Sequence, residues 1–151
     1  MARVEETVLV GASLAETWDT YLDRRGWATW VDAFAAVVSD EGYPEEGGTL
    51  RWRSTPAGRG EVTEKVLEHE PRRTHRIAFS DPTMSGELST RFAVEGQGTR
   101  VTQALDYRLA ERGVFAFLGA FFVRSQVARS VQRTLRDLKA FAEESAQGGA
   151  R

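Results

Sequence analysis

Hydrophobic residues in the last third of the chain recur at intervals of three and four residues, the spacing of one face of an α-helix. These positions are Phe115, Leu118, Phe122, Val123, Val127, Val131, Leu135, Leu138 and Phe141. Basic residues fall on the opposite side, at Arg124, Arg129, Arg133, Arg136 and Lys139. The pattern predicts one helix over residues 112–144, about 50 Å long at 1.5 Å per residue. A helix of this length with one apolar face needs a long apolar surface to lie against.

β-branched residues and two-residue alternation predict strands over most of the remaining chain. In residues 49–54, Leu50 and Trp52 alternate with Arg51 and Arg53, which is typical of a half-buried strand. Strands are predicted over residues 4–10, 34–39, 49–54, 60–70, 74–80, 84–94 and 99–109. The connections between the later strands are short, so we expect these strands to pair as an antiparallel meander.

Two short helices are predicted between the first and second strands. Ser13 and Glu16 have the spacing of a capping box, which marks the start of the first helix. The second helix presents Trp27, Trp30 and Val31 together. Helices this short are unstable alone, so both must dock on an apolar surface. Helices at the two ends of the sequence and strands between them indicate the α+β class, with a curved sheet packed against the long helix.

Composition narrows the functional classes. The chain has 151 residues, a net charge of −2, two histidines and no cysteine. This length favours a single domain, expected over residues 1–145 with a disordered tail at 146–151. The charge gives no general attraction to nucleic acid, and two histidines without cysteine indicate no metal site. No cofactor is expected. No signal peptide or integral membrane segment is visible, so we expect a cytoplasmic protein.

Four segments occur in an order that identifies a fold. They are the first strand leading into residues 12–18, the WATW turn at 27–30, the EKVLEHEPRR segment at 64–73, and residues 98–103 before the long helix. In this order they resemble the START-like helix-grip (SRPBCC) superfamily and, within it, the polyketide cyclase/dehydrase-like family. The resemblance spans nearly the whole chain. It implies a seven-stranded antiparallel sheet wrapped around the C-terminal helix, with an apolar cavity between them, but no single activity.

The inward faces of the sheet and the long helix supply candidates for the wall of such a cavity. They are Trp27, Trp30, Trp52, His75, Phe79, Leu88, Phe92, Gln103, Tyr107, Phe115, Phe122 and Gln126. Aromatic and aliphatic side chains with a few separated polar groups are typical of pockets for apolar ligands. The same residues also fit a filled core, because apolar periodicity does not distinguish a wall from a packed interior.

His75 is the candidate for proton transfer. Its ordinary pKa of about 6.5 would let it act as an acid or base at cell pH. In a cyclase that uses aldol chemistry, Tyr107 or Gln103 would stabilise the enolate oxygen. The alternative is a structural histidine that is hydrogen-bonded to a neighbour, or one that is exposed if the strand register shifts by one residue.

The sequence supports three functions. The first is binding of a small hydrophobic molecule, polyketide-, lipid- or aromatic-like, between sheet and helix. The second is a cyclase/dehydrase-type enzyme acting on a polyketide-like substrate. The third is a protein-binding regulator that uses Phe117 and Phe121, which lie off the main apolar face of the long helix. The basic face of that helix is expected to be solvated, and both a monomer and a homodimer remain open.

Overall fold

Strands and helices follow one another in the predicted order. The computed structural model describes residues 1–56, 58–110 and 114–149, and the side chains of these residues except 114–121 and 149. The elements are β1 (Ala2–Val10), α1 (Leu14–Leu22), α2 (Trp27–Trp30), β2 (Phe34–Glu41), β3 (Thr49–Ser54), β4 (Glu61–Glu70), β5 (Thr74–Ser80), β6 (Met84–Glu95), β7 (Gly98–Leu109) and α3 (Val114–Gly149). The predicted α+β class, with seven strands and a long C-terminal helix, is confirmed. The helix continues past the predicted end at residue 144.

Strands β2 to β7 form an antiparallel meander, and β1 adds to it at the edge beside β7. Its order is β1-β7-β6-β5-β4-β3-β2, and all neighbouring pairs are antiparallel. Register shifts interrupt the pairing of β2 with β3 and of β4 with β5. Such bulges bend a strand and increase its twist, which helps the sheet to curve around the helix. Because β1 and β2 form opposite edges, the segment that carries α1 and α2 spans the distance between these edges.

The first short helix begins as predicted. The Oγ of Ser13 accepts a hydrogen bond from the backbone N–H of Glu16 at 3.1 Å, and the backbone N–H of Ser13 donates to Glu16 Oε2 at 3.4 Å. This capping box satisfies two backbone donors that the helix itself leaves free. Trp18 and Tyr21 of α1 are buried, so the helix docks on an apolar surface as expected.

The long helix buries one face against the rest of the protein. Its buried face consists of Val127, Val131, Leu135, Leu138 and Ala142, none more than 8% exposed. The backbone of α3 approaches β1, α1 and α2 most extensively. Among the described residues, no helix has both the length and the hydropathy required to cross a bilayer.

Asp32 joins the end of α2 to α3. Its carboxylate accepts hydrogen bonds from the Oγ of Ser130 at 2.7 Å and from the guanidinium of Arg133 at 3.0 and 3.2 Å. Its backbone N–H donates to the Oγ1 of Thr134 at 3.1 Å. Burial opposes ionisation of Asp32, but the bonds from Arg133 and Ser130 outweigh it and lower the pKa of the carboxyl. Arg133, which belongs to the predicted basic face of α3, therefore forms an ion pair with a residue outside the helix.

Asp32→Ala is expected to lower the free energy of unfolding by about 1–3 kcal/mol, because it removes three hydrogen bonds to a partly buried carboxylate. Urea unfolding at neutral pH measures this change. The control is Asp137→Ala, since Asp137 pairs with Arg136 at the surface and the two side chains are 45% and 70% exposed. That pair is expected to contribute less than about 1 kcal/mol. Equal losses in both variants would show that Asp32 does not hold α2 against α3.

Candidate functional site

A cavity of about 570 Å³ lies between the inward face of the sheet and α3. The side chains that the structure describes leave this space open, although they form a continuous core around it. Its apolar wall residues are Val62, Ile77, Phe79, Met84, Leu88, Leu105, Leu109, Val123, Val127 and Val131. The strand residues of this set are inward positions, which the two-residue alternation of strands places on one face. The sheet and helix thus border a mostly apolar chamber.

An aromatic cluster lies at the side of the chamber formed by α1 and α2. Trp27 packs edge-on against Trp30 and Tyr43, with ring centroids 6.2 and 5.9 Å apart, and Tyr21 lies 5.5 Å from Trp30. The Nε1 of Trp27 donates to the backbone oxygen of Tyr21 at 2.8 Å. These contacts explain how the four-residue helix α2 is held. All four rings line the cavity.

Glu64 places a carboxyl group in this apolar wall. The residue is 7% exposed and lies opposite Leu50 in the β3–β4 ladder. Trp52 Nε1 donates to Glu64 Oε2 at 2.6 Å. Burial raises the pKa of Glu64 to about 7, although the hydrogen bond from Trp52 and the charge of Arg59 act in the opposite direction. A carboxyl of this kind exchanges its proton near cell pH, as acid–base groups do.

Arg59 brings a positive charge to the same part of the wall. Its guanidinium lies over the rings of Phe79 and Trp52, 5.1 and 5.9 Å from their centroids. Its Nε donates to Asp81 Oδ2 at 2.6 Å, and the side chain of Asp81 is fully buried. Burial opposes ionisation of Asp81, but Arg59 and Thr83 together lower the pKa of the carboxyl. Arg59 is therefore fixed both by stacking and by an ion pair.

A chain of three hydrogen-bonded side chains leads away from the cavity. The hydroxyl of Tyr43 lies 3.0 Å from His75 Nε2, and His75 Nδ1 lies 3.2 Å from His69 Nδ1. Burial, together with the nearby His69, lowers the pKa of His75 to about 4. His75 is therefore neutral at cell pH, with one ring nitrogen donating and the other accepting. Tyr43 is the member of this chain that lines the cavity.

The structure places the predicted site residues in three groups. The residues on the cavity wall are Trp27, Trp30, Trp52, Phe79, Leu88, Gln103 and Gln126. Three others, His75, Phe92 and Tyr107, are buried but lie off this wall. Phe92 packs against Trp18 and Tyr21, and His75 is screened from the cavity by Tyr43.

The remaining two predicted wall residues belong to the start of α3. Phe122 is 65% exposed, and its neighbour Val123 occupies the cavity wall. The apolar pattern contains both residues, but they are separated by about 100° around a helix, so one of them must point away. Phe115 lies outside the described side chains, as do Phe117 and Phe121.

Sequence reasoning missed Glu64, Tyr43 and Arg59. The sequence contains a signal for Glu64. Val62, Glu64 and Val66 occupy successive inward positions of β4, and a carboxyl between two valines is unusual on an apolar face. Tyr43 and Arg59 lie in the segments between β2 and β3 and between β3 and β4. No periodicity predicts the direction of a loop side chain, so these two had no comparable signal.

Solved structures with the same architecture cover almost all of the chain. The ZhuI aromatase/cyclase from Streptomyces sp. R1128 matches with a TM-score of 0.73 at 20% identity, covering 94% of this chain and 93% of that one. SA2116 from Staphylococcus aureus, a protein of unknown function, matches with a TM-score of 0.77 at 13% identity, covering 97% and 96%. TTHA0849 from Thermus thermophilus matches with a TM-score of 0.70 at 22% identity, covering 96% and 99%. At these identities the likeness shows the fold.

Sequence comparison gives the family. A search among curated proteins found no match. The family described as polyketide cyclase / dehydrase and lipid transport matches residues 1–143. This match covers the four segments on which the resemblance to the SRPBCC superfamily rests, and the fold agrees with it. Together they support a ligand-binding or cyclase role. The chain belongs to the polyketide cyclase / dehydrase and lipid transport family.

Proposed function

We propose that the protein is a cytoplasmic binder of a small hydrophobic molecule, polyketide-, lipid- or aromatic-like, held between the sheet and α3. The observation that carries this proposal is the cavity of about 570 Å³ with mostly apolar walls. Sites for small molecules usually have volumes of about 300–1,000 Å³ and only a few polar groups. An interior without a ligand role would be expected to close such a space, because unfilled volume costs stability.

Native mass spectrometry of protein purified from its own host tests this function. We expect an additional mass that is lost on denaturation and that gives the formula of the ligand. Val127→Trp should reduce the bound fraction, because Val127 lines the cavity and the larger ring would occupy part of it. The control is Val94→Trp at a position that is 66% exposed. A protein free of ligand in every preparation, which also binds no apolar probe, would contradict the proposal.

The second candidate is a cyclase/dehydrase-type enzyme. The observation that favours it is Glu64, a cavity carboxyl whose pKa is raised to about 7. The roles of His75 as proton carrier and of Tyr107 or Gln103 as oxyanion partner stay predictions. Gln103 is the one of these three on the cavity wall, and His75 would act on a ligand through the hydroxyl of Tyr43. The regulator hypothesis depends on Phe117 and Phe121 and also stays a prediction.

A further inference from the structure

Most polar side chains on the cavity wall already have hydrogen-bond partners. Two hydroxyls belong to buried pairs, since Tyr43 bonds to His75 and Tyr21 bonds to Thr90 at 2.8 Å. Other partnered groups on the wall are Trp27 with the backbone of Tyr21, Gln103 with Thr90, Ser130 and Thr134 with Asp32, Asp32 with Arg133, Thr83 with Asp81, and Arg59 with Asp81. These groups are fixed before any ligand enters.

Glu64 differs from this set. Its Oε2 accepts the hydrogen bond from Trp52, but Oε1 has no hydrogen-bond partner in the part of the chain that the structure describes. Two other wall residues have a polar atom without a hydrogen-bond partner among the described residues. Gln126 is exposed on α3, and the Nε1 of Trp30 is a buried donor. Burial disfavours the charged form of this carboxyl, and a hydrogen-bond donor from a ligand would stabilise it. Glu64 is therefore the buried acidic group of the wall that a hydrogen-bond donor on a ligand would meet.

We propose that Glu64 is the polar recognition group of the cavity, and that its Oε1 accepts a hydrogen bond from a hydroxyl or a protonated amine at one end of an otherwise apolar ligand. This inference rests on the proposed ligand-binding function and specifies its ligand class. In its ionised form the carboxylate only accepts hydrogen bonds, so the ligand must then supply the hydrogen. The apolar remainder of the ligand would lie against wall residues such as Leu88 and Val127.

The groups around Glu64 agree with this assignment. Trp52 already donates to the carboxyl, and Arg59 supplies the nearby positive charge that acts on it. Arg59 is itself paired with Asp81. Tyr21 and Tyr43 face the same region, and burial raises the pKa of both hydroxyls, so they stay neutral. His75, behind Tyr43, is neutral as well. Few competing charges therefore surround the carboxyl in the described structure.

Four naphthalenes that carry different groups of equal size at the same ring carbon test the proposal. The groups are hydroxymethyl, aminomethyl, methoxy and ethyl, and binding is measured by isothermal titration calorimetry with the intact protein. At about pH 8 we expect the hydroxymethyl and aminomethyl compounds to bind about 10- to 100-fold more tightly than the ethyl compound, the usual effect of a hydrogen bond to a charged group. The methoxy compound, which has no donor, should bind like the ethyl compound.

The pH dependence identifies the group that recognises the ligand. Glu64 must release its proton before it accepts the ammonium group, so the aminomethyl compound should bind about tenfold more weakly at pH 6 than at pH 8. Glu64→Gln should remove this pH dependence and most of the preference for the amine. The ethyl compound should bind this variant at least as tightly as the parent protein, because glutamine carries no charge, and this binding also shows that the variant is folded.

The outcomes separate this inference from the function on which it rests. If all four compounds bind equally, or if Glu64→Gln retains the preference and its pH dependence, Glu64 is not the recognition group, although the cavity still binds apolar molecules. If the methoxy compound binds as tightly as the hydroxymethyl compound, the ligand does not need a hydrogen-bond donor and the proposed ligand class is wrong. If none of the four binds, the proposed ligand-binding function itself fails.

Discussion

Glu64→Gln is expected to raise the free energy of unfolding by about 3 kcal/mol at pH 8. Burial raises the pKa of this carboxyl from 4.5 to about 7, and each pKa unit corresponds to about 1.4 kcal/mol. Because the folded state holds the proton more tightly than the unfolded state, stability falls as the pH rises from about 4.5 to about 7. It stays low above that range. Glutamine is neutral at every pH and avoids this loss.

The measurement is urea unfolding of both proteins between about pH 4 and pH 8. Their stabilities should coincide near pH 4, where Glu64 is protonated in both states, and should separate by about 3 kcal/mol at pH 8. The control is Glu61→Gln on the same strand, because Glu61 is exposed and pairs with Arg51 at the surface. A constant difference between Glu64→Gln and the parent protein across this range would mean that Glu64 is not buried in the folded state.

Leu138→Ala is expected to lower the free energy of unfolding by about 3–5 kcal/mol. The side chain of Leu138 is fully buried in the core beneath α3. Its removal loses the transfer free energy of three carbon atoms and leaves a new void. The surrounding residues belong to a packed helix and sheet, which close such a void only partly.

The matched control is Leu88→Ala, the same change of side chain at the cavity wall. Leu88 is only half-buried and already borders open space, so its truncation enlarges a cavity instead of creating one. We expect a loss of about 1–2 kcal/mol, measured by urea unfolding of ligand-free protein. Equal losses at the two positions would show that the chamber is filled in solution and that sheet and helix are packed throughout.

The sequence predicts the architecture well because the periodic signals are strong. The strands at Thr49–Ser54 and Thr74–Ser80 begin and end as predicted, and the Ser13 capping box is present. Two-residue alternation also places Leu88 and Gln103 on the inward face. These features depend on interactions within one element or between neighbouring strands, so a local pattern contains them.

The partner of His75 could not be predicted in this way. Before the register shift between Val66 and Glu68, the even-numbered residues of β4 face inward. The bulge changes this parity, so that His69 lies directly opposite His75 and bonds to it. A bulge leaves no clear mark in an apolar pattern. The same limit applies to Tyr43 and Arg59, whose positions depend on the path of loops.

The pairing of β1 with β7 affects the order in which the protein can fold during synthesis. Ala2 pairs with Tyr107 and Val10 pairs with Thr99, so β1 must wait for β7, the last of the seven strands to be synthesised. At about 5–20 residues per second, this wait lasts about 5–20 s. The long helix packs on β1 and is made later still. The nascent chain must therefore carry an unpaired, half-apolar strand until β7 has been made, and the cavity is completed only after α3 has been translated.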